Sequence, residues 1–321
     1  MVRLDIERIK NAFANIDSTF LNTPQYICPT LSGALGCSIV LKVETLNPIR
    51  CFKGRGIETV LSRLKADTGP KAAVCASAGN LGQALAYSGR QRGFDITVTA
   101  SAAANPLKIE RMKALGAKVI LVDGQIEEAL NAAQEFSQAH GAFLVEDSKN
   151  LDTCEGAGTI GMELLDLPFP LDAIVVSLGG GAMASGIGCV MKSRSPDTTV
   201  INVQPENAPA MTNSFRAGRV VEADAPHTIA DGVAGRYCSP EALADLLAVT
   251  DEALLVSEQS IIEAMRLLYH YSGLVVEPAA ALGVACILEN PERFKDKCVA
   301  TILCGSNVAP MDFKDWVLGR A

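Results

Sequence analysis

The sequence predicts an α/β protein whose mainly parallel sheets are flanked by helices. Two observations carry this. Short apolar runs alternate with helical patterns along most of the chain, separated by turns holding glycine, asparagine or proline. Repeated βαβ units of this kind set strands side by side and parallel, with helices on both faces. At 321 residues the chain is long enough for a large core and two domains.

Taken in order, a helical pattern (Leu4, Ile6, Ile9, Phe13) runs into the turn Asn22-Thr23-Pro24. A strand over 39–43 leads to Arg50-Cys51-Phe52-Lys53-Gly54-Arg55-Gly56, and a helix follows to about Ala66. Asp67-Thr68-Gly69-Pro70 breaks it. Residues 72–76 read as a buried strand, Ser77-Ala78-Gly79-Asn80 as a turn, and Leu81 to about Gly93 as a helix with its stop. After a strand at 96–99, Asn105 caps a helix with Pro106 in its first turn and Gly116 just past its end. A strand at 119–122, a helix at 126–139 and a strand at 142–145 complete this half. The second half repeats the theme: a strand at 173–176, a glycine run, a helix through about Arg194 and a strand at 200–203. Beyond a looser region, helices at 257–271 and 278–288 precede a last strand at 299–303. Linker candidates are 67–70 and 149–153.

Composition narrows the function. Hydrophobic residues at 49% and charged residues at 20% describe a globular chain. A formal charge of -8 argues against a nucleic-acid surface, which needs a basic field. No apolar stretch is long and uncharged enough to span a bilayer. The charged N-terminus lacks the apolar core of a signal peptide. Ten cysteines without a pairing pattern are expected as reduced core thiols in the cytoplasm. No CxxC or HExxH spacing occurs, so no metal site is expected.

Four stretches carry chemistry. Lys53 sits at a strand-to-helix junction between an aromatic and a glycine, as a nucleophile, a phosphate contact or a solvated charge. Gly179-Gly180-Gly181-Ala182-Met183 follows a strand and opens a helix, which makes a phosphate cradle or a tight turn. No Gly-Lys-Ser/Thr follows and the dinucleotide spacing is absent, so a phosphate ligand smaller than a dinucleotide is favoured. Ser77-Ala78-Gly79-Asn80 suits a carboxylate or a phenolic oxygen, and equally a plain capping turn. Cys304-Gly305-Ser306-Asn307 follows the last strand, where open α/β sheets bind ligands, although a lone cysteine there is more often core. Each stretch lies at the C-terminal end of a strand, so all can meet at one crevice. A lysine, a phosphate cradle and a carboxylate turn together suit pyridoxal 5'-phosphate.

These stretches, with Thr228-Ile229-Ala230-Asp231-Gly232-Val233 and Val276-Glu277-Pro278-Ala279, resemble the serine/threonine dehydratase and serine racemase family. They occur in family order over nearly the whole chain. That family belongs to the tryptophan-synthase-β-like, fold type II pyridoxal phosphate enzymes. The resemblance implies a large cofactor-binding domain from residues 1–67 and 151–321, with a small substrate-loop domain, 68–150, inserted. It implies Lys53 as the Schiff-base lysine and the group acting on the Cα proton, with Phe52 packed beside the cofactor ring. Asn80 would bond the phenolic oxygen. The Ser77, Ala78 and Gly79 amides would hold the substrate carboxylate, with Asn80 in the same substrate loop. Gly179, Gly180, Gly181, Ala182 and Met183 would hold the phosphate, and Cys304 would face the pyridine nitrogen. A homodimer is a further implication.

The implied activity is a lyase of the dehydratase (ammonia-lyase) kind. It would convert L-serine, L-threonine or a related 3-hydroxy amino acid to a 2-oxo acid and ammonia by Cα deprotonation and β-elimination. Several departures shape the expectation. Ala78 stands where racemases carry the serine used as a base on the opposite face, which disfavours racemisation. Gln204 and Ala210 stand where a racemase-like divalent-cation site takes two carboxylates. Ala182 replaces a usual glycine, and Arg50-Cys51 replaces small residues. The nearest alternative is a β-replacement synthase of the cysteine-synthase kind, opposed by Ala78 and Cys304. A non-catalytic ligand-binding module is opposed by the intact lysine. The short stretch after Asn307 leaves no room for a regulatory domain, so amino-acid degradation is expected over feedback-controlled biosynthesis.

Overall fold

Runs of Val, Ile, Leu and Ala that are buried on both faces form parallel strands, because each face must be covered by a crossover helix. The computed structural model describes residues 3–66 and 71–319. The expected breaker and linker at 67–70 lies outside the described residues. In chain order the elements are α1 (Ile6–Phe13), β1 (Gln25–Ile27), α2 (Pro29–Leu35), β2 (Ser38–Val43), α3 (Lys53–Ala66), β3 (Ala72–Ala76) and α4 (Asn80–Arg92). Then follow β4 (Asp95–Ser101), α5 (Pro106–Ala114), β5 (Lys118–Val122), α6 (Ile126–His140), β6 (Phe143–Leu144) and α7 (Leu151–Leu164). After them come β7 (Ala173–Ser177), α8 (Ala182–Arg194), β8 (Thr199–Pro205), α9 (Ala210–Ala217), α10 (Pro240–Val249) and β9 (Glu252–Val256). Then come α11 (Glu258–Ser272), α12 (Pro278–Glu289) and β10 (Cys298–Leu303), with short helical turns at Pro291–Phe294 and Pro310–Phe313.

The strands form two sheets. One has six strands in the order β1-β2-β10-β7-β8-β9 and is parallel except for β1, which pairs antiparallel with β2. The other has four parallel strands in the order β5-β4-β3-β6. One apolar core surrounds β2, β7, β10, α8 and α12. A second joins Ile57, Val60 and Leu61 of α3 to Leu85 of α4 and Val98 of β4, so α3 bridges the two sheets.

The alternating pattern placed most of these elements. It missed α7, whose first turn falls inside the expected linker at 149–153. Gly156, Gly158 and Gly161 lower its helix propensity. Packing explains them. A Cβ at Gly156 would lie 2.3 Å from the Arg55 carbonyl oxygen, and one at Gly186 in α8 would lie 2.1 Å from the Cys154 carbonyl oxygen. Thus α3, α7 and α8 meet backbone to backbone. The looser region contains α9, α10 and β9, and β6 is two residues long where 142–145 had been expected.

Gly186→Ala should destabilise the fold by about 3 kcal/mol, because backbone cannot yield to the new methyl. Gly33→Ala in α2, with no neighbour within 4 Å of the new Cβ, should be neutral or slightly stabilising. Urea unfolding of both variants checks the contrast.

Candidate active site

Strand order decides which loops meet. In the six-stranded sheet β10 lies between β2 and β7, all parallel. Their C-terminal loops therefore emerge side by side: 44–52 after β2, 304–307 after β10, and 178–181 after β7. In the other sheet β3 and β6 are parallel neighbours, so 77–80 and 145–147 emerge together.

Hydrogen bonds tie these loops. Phe52 N donates to the Cys304 carbonyl at 3.0 Å, and Ser306 N to the Arg50 carbonyl at 2.9 Å. Cys51 and Gly305 form an isolated antiparallel bridge. Asn307 Nδ2 donates to the Ile49 carbonyl at 2.9 Å and to Asn80 Oδ1 at 2.7 Å, which links the two sheets across the crevice. Lys53 opens α3, and its Nζ donates to Asp147 Oδ2 at 2.6 Å. The same Nζ stands 4.7 Å from the centre of the Phe52 ring.

The glycine loop has the features of an anion cradle. Gly181 has φ +102, and no side chain caps α8. Among the described residues the amides of Gly179, Gly180, Gly181, Ala182 and Met183 have no acceptor. Gly181, Ala182 and Met183 are buried, and a buried amide without an acceptor is costly, so this row calls for an anion with several oxygens. A Cβ at Gly180 would lie 3.0 Å from Asp147 Oδ2, so the loop, Asp147 and Lys53 are close neighbours.

The turn at 77–80 is partly committed elsewhere. Ser77 N donates to the Thr99 carbonyl at 3.0 Å, extending the β3–β4 pairing. Gly79 N and Gly82 N both donate to Ser77 Oγ at 3.1 Å. The Ser77 and Gly79 amides, expected at the substrate carboxylate, are therefore satisfied within the protein. The Ala78 and Asn80 amides have no acceptor among the described residues.

Residues 16–305 match the family described as pyridoxal-phosphate dependent enzyme. The chain belongs to that family. It is 33% identical over 306 residues to an L-threonine ammonia-lyase of Thermotoga maritima, covering 95% of this chain and 76% of that one. It is 31% identical over 286 residues to an L-threo-3-hydroxyaspartate ammonia-lyase of Pseudomonas, covering 89% of this chain and 90% of the relative. Among solved structures, maize serine racemase superposes with a TM-score of 0.91 at 26% identity, over 96% of this chain and 95% of that one. The fold is thus that of fold type II pyridoxal phosphate enzymes, and the cofactor is pyridoxal phosphate. The row of free amides beside Lys53 fits its phosphate and its aldehyde.

Two site groups carried no assigned role in the sequence. Asp147 was invisible, because only the β3–β6 pairing brings it to Lys53. Glu277 was visible only within Val276-Glu277-Pro278-Ala279. It is buried, accepting from Asn80 Nδ2 at 2.8 Å and Asn307 N at 3.0 Å. Gly305 admits it, since a Cβ there would lie 2.4 Å from Glu277 Oε1. Burial, with the Asp231 charge added, pushes the Glu277 carboxyl up to about 7, against the pull of the Asn307 amide and Lys108. Burial, with Glu277 and Cys51 nearby, pushes the Cys304 thiol well above its usual range, so it is neutral. Among the described residues no group of three or more His, Cys, Asp or Glu is placed to hold a metal.

The Glu277 shift has a sign. Its stabilising contribution is fully present below about pH 4.5 and is lost as pH rises through about 7. The span is worth about 3 kcal/mol. Glu277→Gln should flatten that slope, so its melting temperature should fall less than the parent's between pH 5 and pH 8. Calorimetry at the two pH values checks this.

Proposed function

We propose that the chain is a dehydratase that converts a β-hydroxy-α-amino acid to a 2-oxo acid and ammonia. The observation that carries it is the row of acceptor-free amides at 179–183, next to Lys53 and following β7, which neighbours the β10 strand that leads to Cys304. Relatives named as threonine and 3-hydroxyaspartate ammonia-lyases support the reaction class.

The placement supports the following roles. Gly179, Gly180, Gly181, Ala182 and Met183 would hold the phosphate, Phe52 the ring edge, Asn80 the phenolic oxygen and Cys304 the pyridine nitrogen. When bound, the cofactor supplies an electron-withdrawing ring that acidifies the substrate Cα–H. Lys53 Nζ takes that proton, and Asp147, at 2.6 Å, holds the charged ammonium in place. Ala78 and Asn80 amides, with Ser77 and Gly79 shaping the turn, orient the substrate carboxylate. The Cβ–O bond then breaks, its electron pair leaving with the hydroxyl, which takes up the proton that Lys53 carried from Cα and departs as water. The released enamine takes up water to give the oxo acid and ammonia.

Glu277 fixes Asn80 through its Nδ2, while Asn307 fixes the same amide through Oδ1. Ala78 carries no proton on its methyl, which favours one-sided elimination over racemisation. The neutral Cys304 thiol favours elimination over transamination. The same reading takes residues 68–150 as an inserted domain, supported by a four-stranded sheet formed from 72–144 alone. Residence in the cytoplasm and a homodimer belong to it as well. Ten free cysteines, nine of them buried, support a reducing compartment.

Lys53→Ala should lower oxo-acid and ammonia release by at least about 10³-fold. It should also remove the visible absorbance of the bound cofactor. Full activity in this variant contradicts the reading. A substituted amino acid as sole product, when serine is supplied with a thiol, would replace it with β-replacement.

A further inference from the structure

Helix α5 brings two cations to the crevice from the side of the smaller sheet. Lys108 and Arg111 are three residues apart, so they share a helix face, and both are half-buried. Lys108 Nζ pairs with Asp231, next to Gly232, which approaches Glu277. Arg111 Nη1 donates to Asn307 Oδ1 at 3.2 Å, and Asn307 donates to Asn80. Arg111 is thus two hydrogen bonds from the residue expected on the cofactor's phenolic oxygen.

Arg111 forms no salt bridge among the described residues. Its contact at the site is with a neutral amide oxygen, although a guanidinium fork matches a carboxylate with two parallel bonds. The acids nearby are engaged elsewhere: Asp231 by Lys108, and Glu277 by Asn80 and Asn307. The chain carries a formal charge of -8, so this cation pair is no part of a general basic surface. Serine or threonine brings one carboxylate, for which the turn at 77–80 already has donors. Neither gives Arg111 an anionic partner. A second carboxylate, on the β-carbon, does.

We propose that Arg111, with Lys108 beside it, receives the second carboxylate of a β-hydroxy-α-amino dicarboxylic acid, so that 3-hydroxyaspartate is preferred over serine and threonine. This rests on the dehydratase reading and names its substrate class.

The test uses the holoenzyme with threo-3-hydroxyaspartate, serine and threonine, in the parent, Arg111→Ala and Arg111→Lys. The parent should show a higher kcat/KM for 3-hydroxyaspartate than for serine. Arg111→Ala should lower that ratio by about 100-fold, mostly through KM, and Arg111→Lys should restore part of it. An equal fall for both substrates overturns the proposal and leaves Arg111 a structural residue. Turnover of serine or threonine without 3-hydroxyaspartate also overturns it, while the dehydratase reading stands. If no hydroxy amino acid is turned over, the dehydratase reading falls. The proposal is then decided by titrating aspartate, which has no leaving hydroxyl, against the cofactor absorbance. Tighter saturation by aspartate than by alanine, lost in Arg111→Ala, supports it, and equal saturation overturns it.

Discussion

A single buried guanidinium fixes the frame around Lys53. Arg55 is fully buried in the first turn of α3. It bonds Glu44, just past β2, at 2.8 and 2.9 Å, and Glu163 of α7 at 2.7 and 2.9 Å. Lys42 of β2 also bonds Glu163. Two cations and two carboxylates therefore balance with no water needed. Stripping such ions of water costs several kcal/mol each, and only close, charge-assisted pairing offsets it. The geometry is consequently exacting: it holds the end of β2, the start of α3 and the body of α7 in one arrangement. Two residues along a helix is about 200° of turn, so Arg55 points into the core while Lys53 points to the crevice.

With α3 anchored, strand order does the rest. Placing β10 between β2 and β7 sets the lysine loop, the Cys304 loop and the glycine loop side by side. The second sheet supplies the other wall through 77–80 and Asp147. Asn80 stitches the walls together through two hydrogen bonds, to Glu277 and from Asn307, which are themselves joined by a third. The glycines of α7 and α8 let the helices beneath come close enough for these loop positions to be shared.

Much of this was legible in the sequence. Lys53 and the glycine run announce themselves, because a lysine before glycine and three glycines before a helix are local patterns. The parallel sheets were legible from the alternation of strand and helix. What was hidden is non-local. Asp147 follows a two-residue strand and meets Lys53 only through sheet pairing. Glu277 lies far in sequence from Asn80. Helix α7 was obscured by glycines that are there for packing. The Ser77 amide, expected at the substrate carboxylate, is claimed by a neighbouring strand.

The central claim is that Lys53 is the residue on which the cofactor is carried. Reducing the holoenzyme with borohydride, digesting it and mapping the peptides by mass spectrometry tests this directly. The account predicts one cofactor-derived mass increase, on the peptide containing Lys53. Label on Lys42, Lys108 or any other lysine, with Lys53 unmodified, would contradict it.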